Sequence, residues 1–171
     1  MEPGVFVSAH GIGFLPEVPP LPGYLTSREF LRGVVPEVFA LLGGNGDLYG
    51  IPGFGSILDK RIATLSLGQK KKVSLAAALS RNPGLLLLDE PTNGLDPLAV
   101  QDLREVLSRM GREGMTVIVS SHHLDELQRL ADLLVFVEAG KCVGSWTRAE
   151  ALERFESFDA LFEDTFRGRS A

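Results

Sequence analysis

The chain has 171 residues, of which 44% are hydrophobic and 23% charged, with a formal net charge of -5 and one cysteine, Cys142. This is ordinary globular composition, long enough for one domain with a sizeable core, and its acid excess argues against a protein that works by coating nucleic acid. A lone cysteine excludes an internal disulfide and fits a reducing compartment; MEPGVFVSAH lacks the basic and apolar regions of a secretory signal, and no apolar run approaches the roughly 20 residues that span a bilayer.

Gly11 to Phe14 are read as the end of a strand. Pro16 to Pro22 (PEVPPLP) form a surface loop, because the prolines fix φ and remove donors. Thr26 and Glu29 have capping-box spacing, which starts a helix at Ser27. Phe30, Leu31, Val34, Val35, Val38, Phe39 and Leu42 keep helical period, with a kink expected at Pro36. Gly43 to Ser56 is glycine-rich and read as loop. Ser66 and Gln69 repeat the capping-box spacing, and an alanine-rich, apolar and therefore buried helix runs to about Ser80.

Leu85 to Leu88 is an unbroken apolar run ending in acid, the pattern of a central parallel strand. Asp96 is an N-cap with Pro97 at the first helical position, and Leu103, Val106, Leu107 and Met110 form that helix's apolar stripe. Met115 to Val119 is read as a second buried strand and His122 to Leu130 as a helix. Leu133 to Val137 and Lys141 to Gly144 are strands across a turn at Gly140, and Arg148 to Phe155 and Phe158 to Phe166 are terminal helices. Strands alternating with helices predict an α/β fold with a mainly parallel sheet. Thr26 to about Ser80 forms an inserted helical subdomain.

Residues Leu65 to Pro97 carry the chemistry: LSLGQKKKVSLAAALSRNPGLLLLDEPTNGLDP. Asp89 and Glu90 end a strand, where ligands gather in open α/β sheets. One carboxylate there can hold Mg²⁺ through water beside a nucleotide's phosphates, and its neighbour can orient or deprotonate an attacking water. Ser66 to Gln69 open a helix whose free N–H groups and dipole suit a phosphate. Ser66 adds a hydroxyl, and Gly68 lets the backbone approach closely. Lys70, Lys71 and Lys72 read equally well as a phosphate-attracting cluster or as a solvated first turn.

This order of motifs resembles the ATP-binding cassette (ABC) family, the motor subunits of ABC transporters, over nearly all of the chain from about Gly11 to Phe166. The resemblance implies a P-loop NTPase-like core divided into residues 26–80 (helical subdomain with the signature), 84–145 (core) and 146–171 (C-terminal helices). It makes Asp89 the magnesium-side Walker B aspartate and Glu90 the catalytic base. Leu65 to Gln69 match the signature, with Leu67 in place of its usual first glycine. The signature residues Ser66, Leu67, Gly68 and Gln69, with Asp96 of the D-loop-like Gly94–Pro97, would face nucleotide at a dimer contact. His122 corresponds to the switch histidine that touches the γ-phosphate. Ile12 to Glu17 resemble the Q-loop, with Glu17 where a glutamine normally approaches Mg²⁺. The following PPLPGYLTSREFL looks like cassettes that serve ABC-2 type exporters.

The implied cofactors are ATP and Mg²⁺. The implied partners are a second nucleotide-binding domain and an integral membrane transport subunit, with no nucleic acid. The implied place is the cytoplasm, peripheral on the inner face of the cell membrane. One element is missing: the P-loop pattern G-x-x-x-x-G-K-[ST], in which backbone amides and a lysine cradle phosphates. The one Gly-Lys pair, Gly140-Lys141, has no glycine five residues earlier. The resemblance is thus to a cassette without its N-terminal Walker A part, and apolar surface and an unpaired sheet edge are expected where that part packs.

Two readings of function follow. One is the ATPase subunit of an exporter. The other is a non-catalytic interaction protein that donates its signature face to a complete partner cassette. Chromosome-maintenance ATPases share this motif order but should show heptads upstream; a translation-factor cassette should bring a second cassette and a charged linker.

Overall fold

A computed structural model describes residues 11–34 and 48–167. The stripe beyond Val34 and the kink expected at Pro36 lie outside the described residues. Two compact units are present, divided between Ser120 and Ser121.

The first unit holds strands β1 (Ile12–Leu15), β2 (Leu85–Asp89) and β3 (Thr116–Ser120), with helices α1 (Ser27–Val34), α2 (Leu67–Leu79) and α3 (Pro97–Arg112). All three strands run parallel in the order β1-β2-β3. Phe14 pairs with Leu87, and Asp89 pairs with Ser120. The leucine run takes the centre, where Leu86 and Leu88 are buried.

Gly13 lets α2 lie directly on β1, since a β-carbon there would stand 2.6 Å from the Ala78 carbonyl oxygen. Val73 to Leu79 of α2 are buried, as the alanine-rich composition predicts. A Thr26–Glu29 capping box opens α1, with Glu29 Oε2 accepting from the Thr26 backbone N–H (2.8 Å) and hydroxyl (3.0 Å). Leu31, Leu48, Ile51, Phe54, Ile57, Leu58 and Ile62 are buried as well. Within the stretch read as loop, Phe54–Ile57 forms a 3-10 turn.

Arg28 donates two hydrogen bonds to the Asp59 carboxylate, at 2.6 and 2.9 Å. These bonds hold the Asp59 carboxyl below its ordinary pKa. A depressed acid contributes stability above its unfolded pKa, and that contribution is lost as pH falls through the folded value. Asp59→Asn is therefore expected to flatten the acid limb of stability against pH, read by urea midpoints between pH 3 and pH 6 (roughly the carboxylate range).

One strand departs from expectation. β3 is not buried: Ile118 is 53% exposed, and its neighbours alternate between exposed and half-buried. Edge position alone is not the reason, because β1 also pairs with β2 alone and yet buries Leu15; β3 has one face, that of Thr116, Ile118 and Ser120, without cover among the described residues.

The second unit contains α4 (Leu124–Leu130), β4 (Leu133–Glu138), β5 (Lys141–Thr147), α5 (Arg148–Arg154) and α6 (Phe158–Arg167). The first of these helices starts two residues later than its sequence pattern suggests. β4 and β5 form an antiparallel hairpin, and their turn residues Ala139 and Gly140 both have positive φ, 47° and 75°. Two successive positive φ angles match the right-handed twist of hairpin strands. Pairing continues to Leu133 opposite Thr147, so β5 outruns its expected end at Gly144.

Leu134, Phe136, Ala151, Phe158 and Leu161 form the core of this unit. The opposite sheet face leaves Leu133, Val135 and Val137 exposed. Among the described residues no helix is long and apolar enough to cross a membrane.

Candidate functional site

Asp89 sits at the carboxyl end of β2 and is exposed. Its carboxylate accepts a 2.6 Å hydrogen bond from the Ser120 hydroxyl at the end of β3. The parallel register places these two residues side by side. Ser120 was not singled out by sequence. Its signal is only that it ends the next apolar run, and pairing partners are not visible in a linear chain.

Glu90 follows with φ +42°, the left-handed region. For a residue with a β-carbon this costs about 1–2 kcal/mol, and such strain collects at functional sites. Surrounding bonds hold it there. The Glu90 N–H donates to the Ser120 carbonyl at 3.0 Å, and the Glu90 carbonyl accepts from the Asn93 N–H at 3.2 Å.

Lys71 is the main residue that sequence reasoning missed. It belongs neither to a phosphate-facing cluster nor to a solvated turn, since it is only 3% exposed. Its ammonium donates to the carbonyls of Glu90 (2.8 Å), Pro91 (3.1 Å) and Asn93 (2.8 Å). All three of its N–H donors are thereby accounted for. Burial pushes the Lys71 pKa down, while the Glu17, Glu90 and Asp89 carboxylates pull it back up. Lys72 is equally committed, to Asp102 (2.9 Å) and the Pro52 carbonyl (2.8 Å).

Glu17 accepts a 2.5 Å hydrogen bond from the Asn93 carboxamide. Asn93 thus meets Glu17 through its side chain and Lys71 through its carbonyl.

At the start of α2 the Ser66 hydroxyl accepts from the Gln69 N–H (3.2 Å), and the Gln69 side chain accepts from the Ser66 N–H (3.1 Å). This capping box occupies both side chains. Ser66→Ala is expected to cost about 1 kcal/mol of stability, the usual worth of an N-cap, measured as a shift of the urea midpoint. Leu67 packs on the turn ahead of α3: a β-carbon on Gly94, where φ is +72°, would fall 2.6 Å from Leu67 Cδ2. Gly68 lies against Leu95 and Ala99. Asp96 caps α3, accepting from the Ala99 N–H at 2.9 Å.

The first unit therefore holds Glu17, Ser66 to Gln69, Asp89, Glu90 and Asp96. His122 belongs to the second unit, where it is exposed and its ring centroid lies 4.0 Å from that of His123.

Among the described residues no group of three or more His, Cys, Asp or Glu side chains could enclose a metal. The donor set fits Mg²⁺ in one mode: an exposed carboxylate at a strand end, with phosphate oxygens and water completing the shell. Asp89 has that position. A small apolar cavity between α2 and α3 is lined by Leu75, Leu95, Leu103 and Val106, and none of Glu17, Asp89 or Glu90 reaches it.

Known proteins resemble this chain in sequence and in fold. A family profile described as "AAA domain, putative AbiEii toxin, Type IV TA system" matches residues 54–127. The lantibiotic transport ATP-binding protein SrtF of Streptococcus pyogenes is 36% identical over 154 residues, covering 89% of this chain and 67% of that protein. The bacitracin transport ATP-binding protein BcrA of Bacillus licheniformis is 35% identical over 133 residues, which are 76% of this chain and 43% of the relative. A solved ATP-binding subunit of an ABC transporter superposes with a TM-score of 0.72 at 27% identity, covering 91% of this chain and 68% of its own. A dimeric ATP-binding cassette in a post-hydrolysis state, bound to ADP and Pi, has the same fold at 22% identity and a TM-score of 0.63, with 80% and 62% covered.

Proposed function

We propose a function from one premise: this chain belongs to the family of ABC transporter ATP-binding proteins, an ATP-hydrolysing family with the P-loop NTPase fold. The chain is the nucleotide-binding subunit of a transporter, coupling ATP binding and hydrolysis to movement of a substrate, with export as the direction. The observation that carries this reading is the strand end at Asp89 and Glu90, where one carboxylate is exposed and the next is held in a strained backbone conformation.

Asp89 would hold Mg²⁺ together with the nucleotide's phosphates, and Glu17 would be its second carboxylate. The metal supplies neutralisation of phosphate charge. Glu90 orients the attacking water and takes its proton, the work of a positioned carboxylate. His122 acts on the γ-phosphate. Ser66, Leu67, Gly68 and Gln69, at the open N-terminus of α2, and Asp96 face a nucleotide held by a second cassette. An integral membrane subunit is the other partner, which places the chain on the cytoplasmic face of the membrane. Residues 26–80 act as the helical subdomain, 84–145 as the core and 146–171 as C-terminal helices.

The sequence of residues 1–171 lacks the pattern G-x-x-x-x-G-K-[ST]. The purified 171-residue chain is therefore expected to show no Mg²⁺-dependent ATP hydrolysis above a Glu90→Gln control. Phosphate release assayed at millimolar ATP decides this, and robust turnover abolished by Glu90→Gln would overturn it.

The second reading, a non-catalytic chain that donates its signature face, draws on the exposed Ser66 at the start of α2. It predicts that the chain raises ATP turnover by a complete cassette, and that Ser66→Arg removes the effect.

A further inference from the structure

The turn after β2 is held from two sides by residues with no assigned role in that task. Lys71 reaches it from α2. Its buried ammonium spans the Glu90, Pro91 and Asn93 carbonyls, at 2.8, 3.1 and 2.8 Å. Glu17 reaches it from the segment after β1, binding the Asn93 carboxamide at 2.5 Å. Between these grips Glu90 keeps φ +42°, an angle it would not keep unaided.

Neither grip is incidental packing. A lysine ammonium is rarely buried to 3% exposure unless every donor is satisfied. A methionine would fill the same volume at lower desolvation cost. The acceptors are main-chain carbonyls, so what the lysine holds is backbone path rather than any one side chain. Its electrostatic surroundings agree, since the carboxylates that act on it are Glu17, Glu90 and Asp89.

We propose that Lys71 is a positioning residue: with Glu17 acting through Asn93, it clamps the Glu90–Asn93 turn, and so sets the backbone from which the Glu90 carboxylate projects. The clamp also makes α2 and the Glu90 turn one mechanical piece, because Lys71 stands two residues beyond the Ser66–Gln69 cap. Glu17 is a strap on this turn through Asn93. The consequence for hydrolysis rests on Glu90 being the base; the clamp itself does not.

Hydrogen exchange of the 171-residue chain tests the clamp without any activity assay. The reporters are the Asn93 and Leu95 amides, which donate within the turn to the Glu90 and Thr92 carbonyls. Lys71→Met is expected to speed exchange at both by about tenfold or more, the scale of losing hydrogen bonds to a charged donor. The Val73→Ala control, two residues along the same helix, is expected to speed exchange through α2 without singling out the turn. Lys71→Gln keeps two N–H donors and is expected to fall between Met and wild type, a rescue that loss of packing does not explain. Glu17→Ala is expected to speed Asn93 exchange by a smaller factor, and its effect should shrink when Lys71→Met is already present, because both act on one turn.

Turn exchange within about twofold of wild type in Lys71→Met overturns the proposal, as does acceleration spread evenly over all amides. If Lys71→Met does not fold, Lys71→Gln and Glu17→Ala decide by the same reporters and limits. Should the clamp hold while Glu90→Gln leaves hydrolysis by an assembled transporter unchanged, the clamp stands and the assignment of Glu90 as base falls.

Discussion

Gly13→Val is expected to destabilise the first unit by about 3 kcal/mol, at the upper end of what overpacking costs. In most strands this exchange is favourable, because valine suits extended backbone and glycine does not. Here the sign reverses. A β-carbon at position 13 would lie 2.6 Å from the Ala78 carbonyl oxygen and 3.0 Å from Leu86 Cδ1. The first of these atoms is backbone in the last turn of α2 and cannot rotate away. The helix must lift from β1, and Lys71 on the same helix then loses its reach to the Glu90 turn. Urea unfolding followed by circular dichroism measures the loss. A midpoint equal to wild type would mean that α2 does not pack on β1 in this way. Gly13→Ala should show a smaller loss in the same direction.

Phe158→Ala is expected to cost the second unit about 3–5 kcal/mol, the range for emptying a buried aromatic site. This unit is small, and its core is Leu134, Phe136, Ala151, Phe158 and Leu161. Removing its largest fully buried side chain leaves a void that so short a segment has little means to close. The reporter is built in: Trp146 is the chain's single tryptophan, and its ring centroid lies 5.4 Å from that of Phe136. Its fluorescence should shift toward that of solvated indole in Phe158→Ala at urea concentrations where the wild type is still folded. Leu152→Ala, at an exposed position on α5, is expected to stay within about 0.5 kcal/mol of wild type. Equal behaviour of the two variants would show that Phe158 is not a core residue.

Local chemistry accounts for what could be read without a structure. The Ser66–Gln69 and Thr26–Glu29 boxes, and the Asp96–Pro97 cap, are set by residues three positions apart or adjacent, so their spacing is visible in the chain. The Leu85–Leu88 run marks a central strand because apolar residues that do not alternate with polar ones need cover on both faces. The order of signature, acidic strand end and Gly-Leu-Asp-Pro turn likewise points to one family, and the relatives agree. Where the readings failed, the deciding quantity was a neighbour distant in sequence. Met115 to Val119 has the composition of a buried strand, yet Ile118 is exposed, because burial depends on what covers each face of β3, and the Ile118 face has no cover among the described residues.

Lys71 shows the same division most sharply. In sequence it is the middle of three lysines, and nothing in their order separates it from Lys70 or Lys72. Helical geometry turns the three side chains by about 100° from one to the next. One of them therefore points inward, to carbonyls 19 to 22 positions away, while the next reaches Asp102. The sequence alone determined the caps, the strand and helix order and the family, because periodicity and short-range hydrogen bonding are written in consecutive residues. The tertiary structure alone decided which lysine is buried, that Glu17 meets Asn93 and that Ser120 meets Asp89. Those contacts exist only once the chain has brought β1, β2, β3 and α2 to one place.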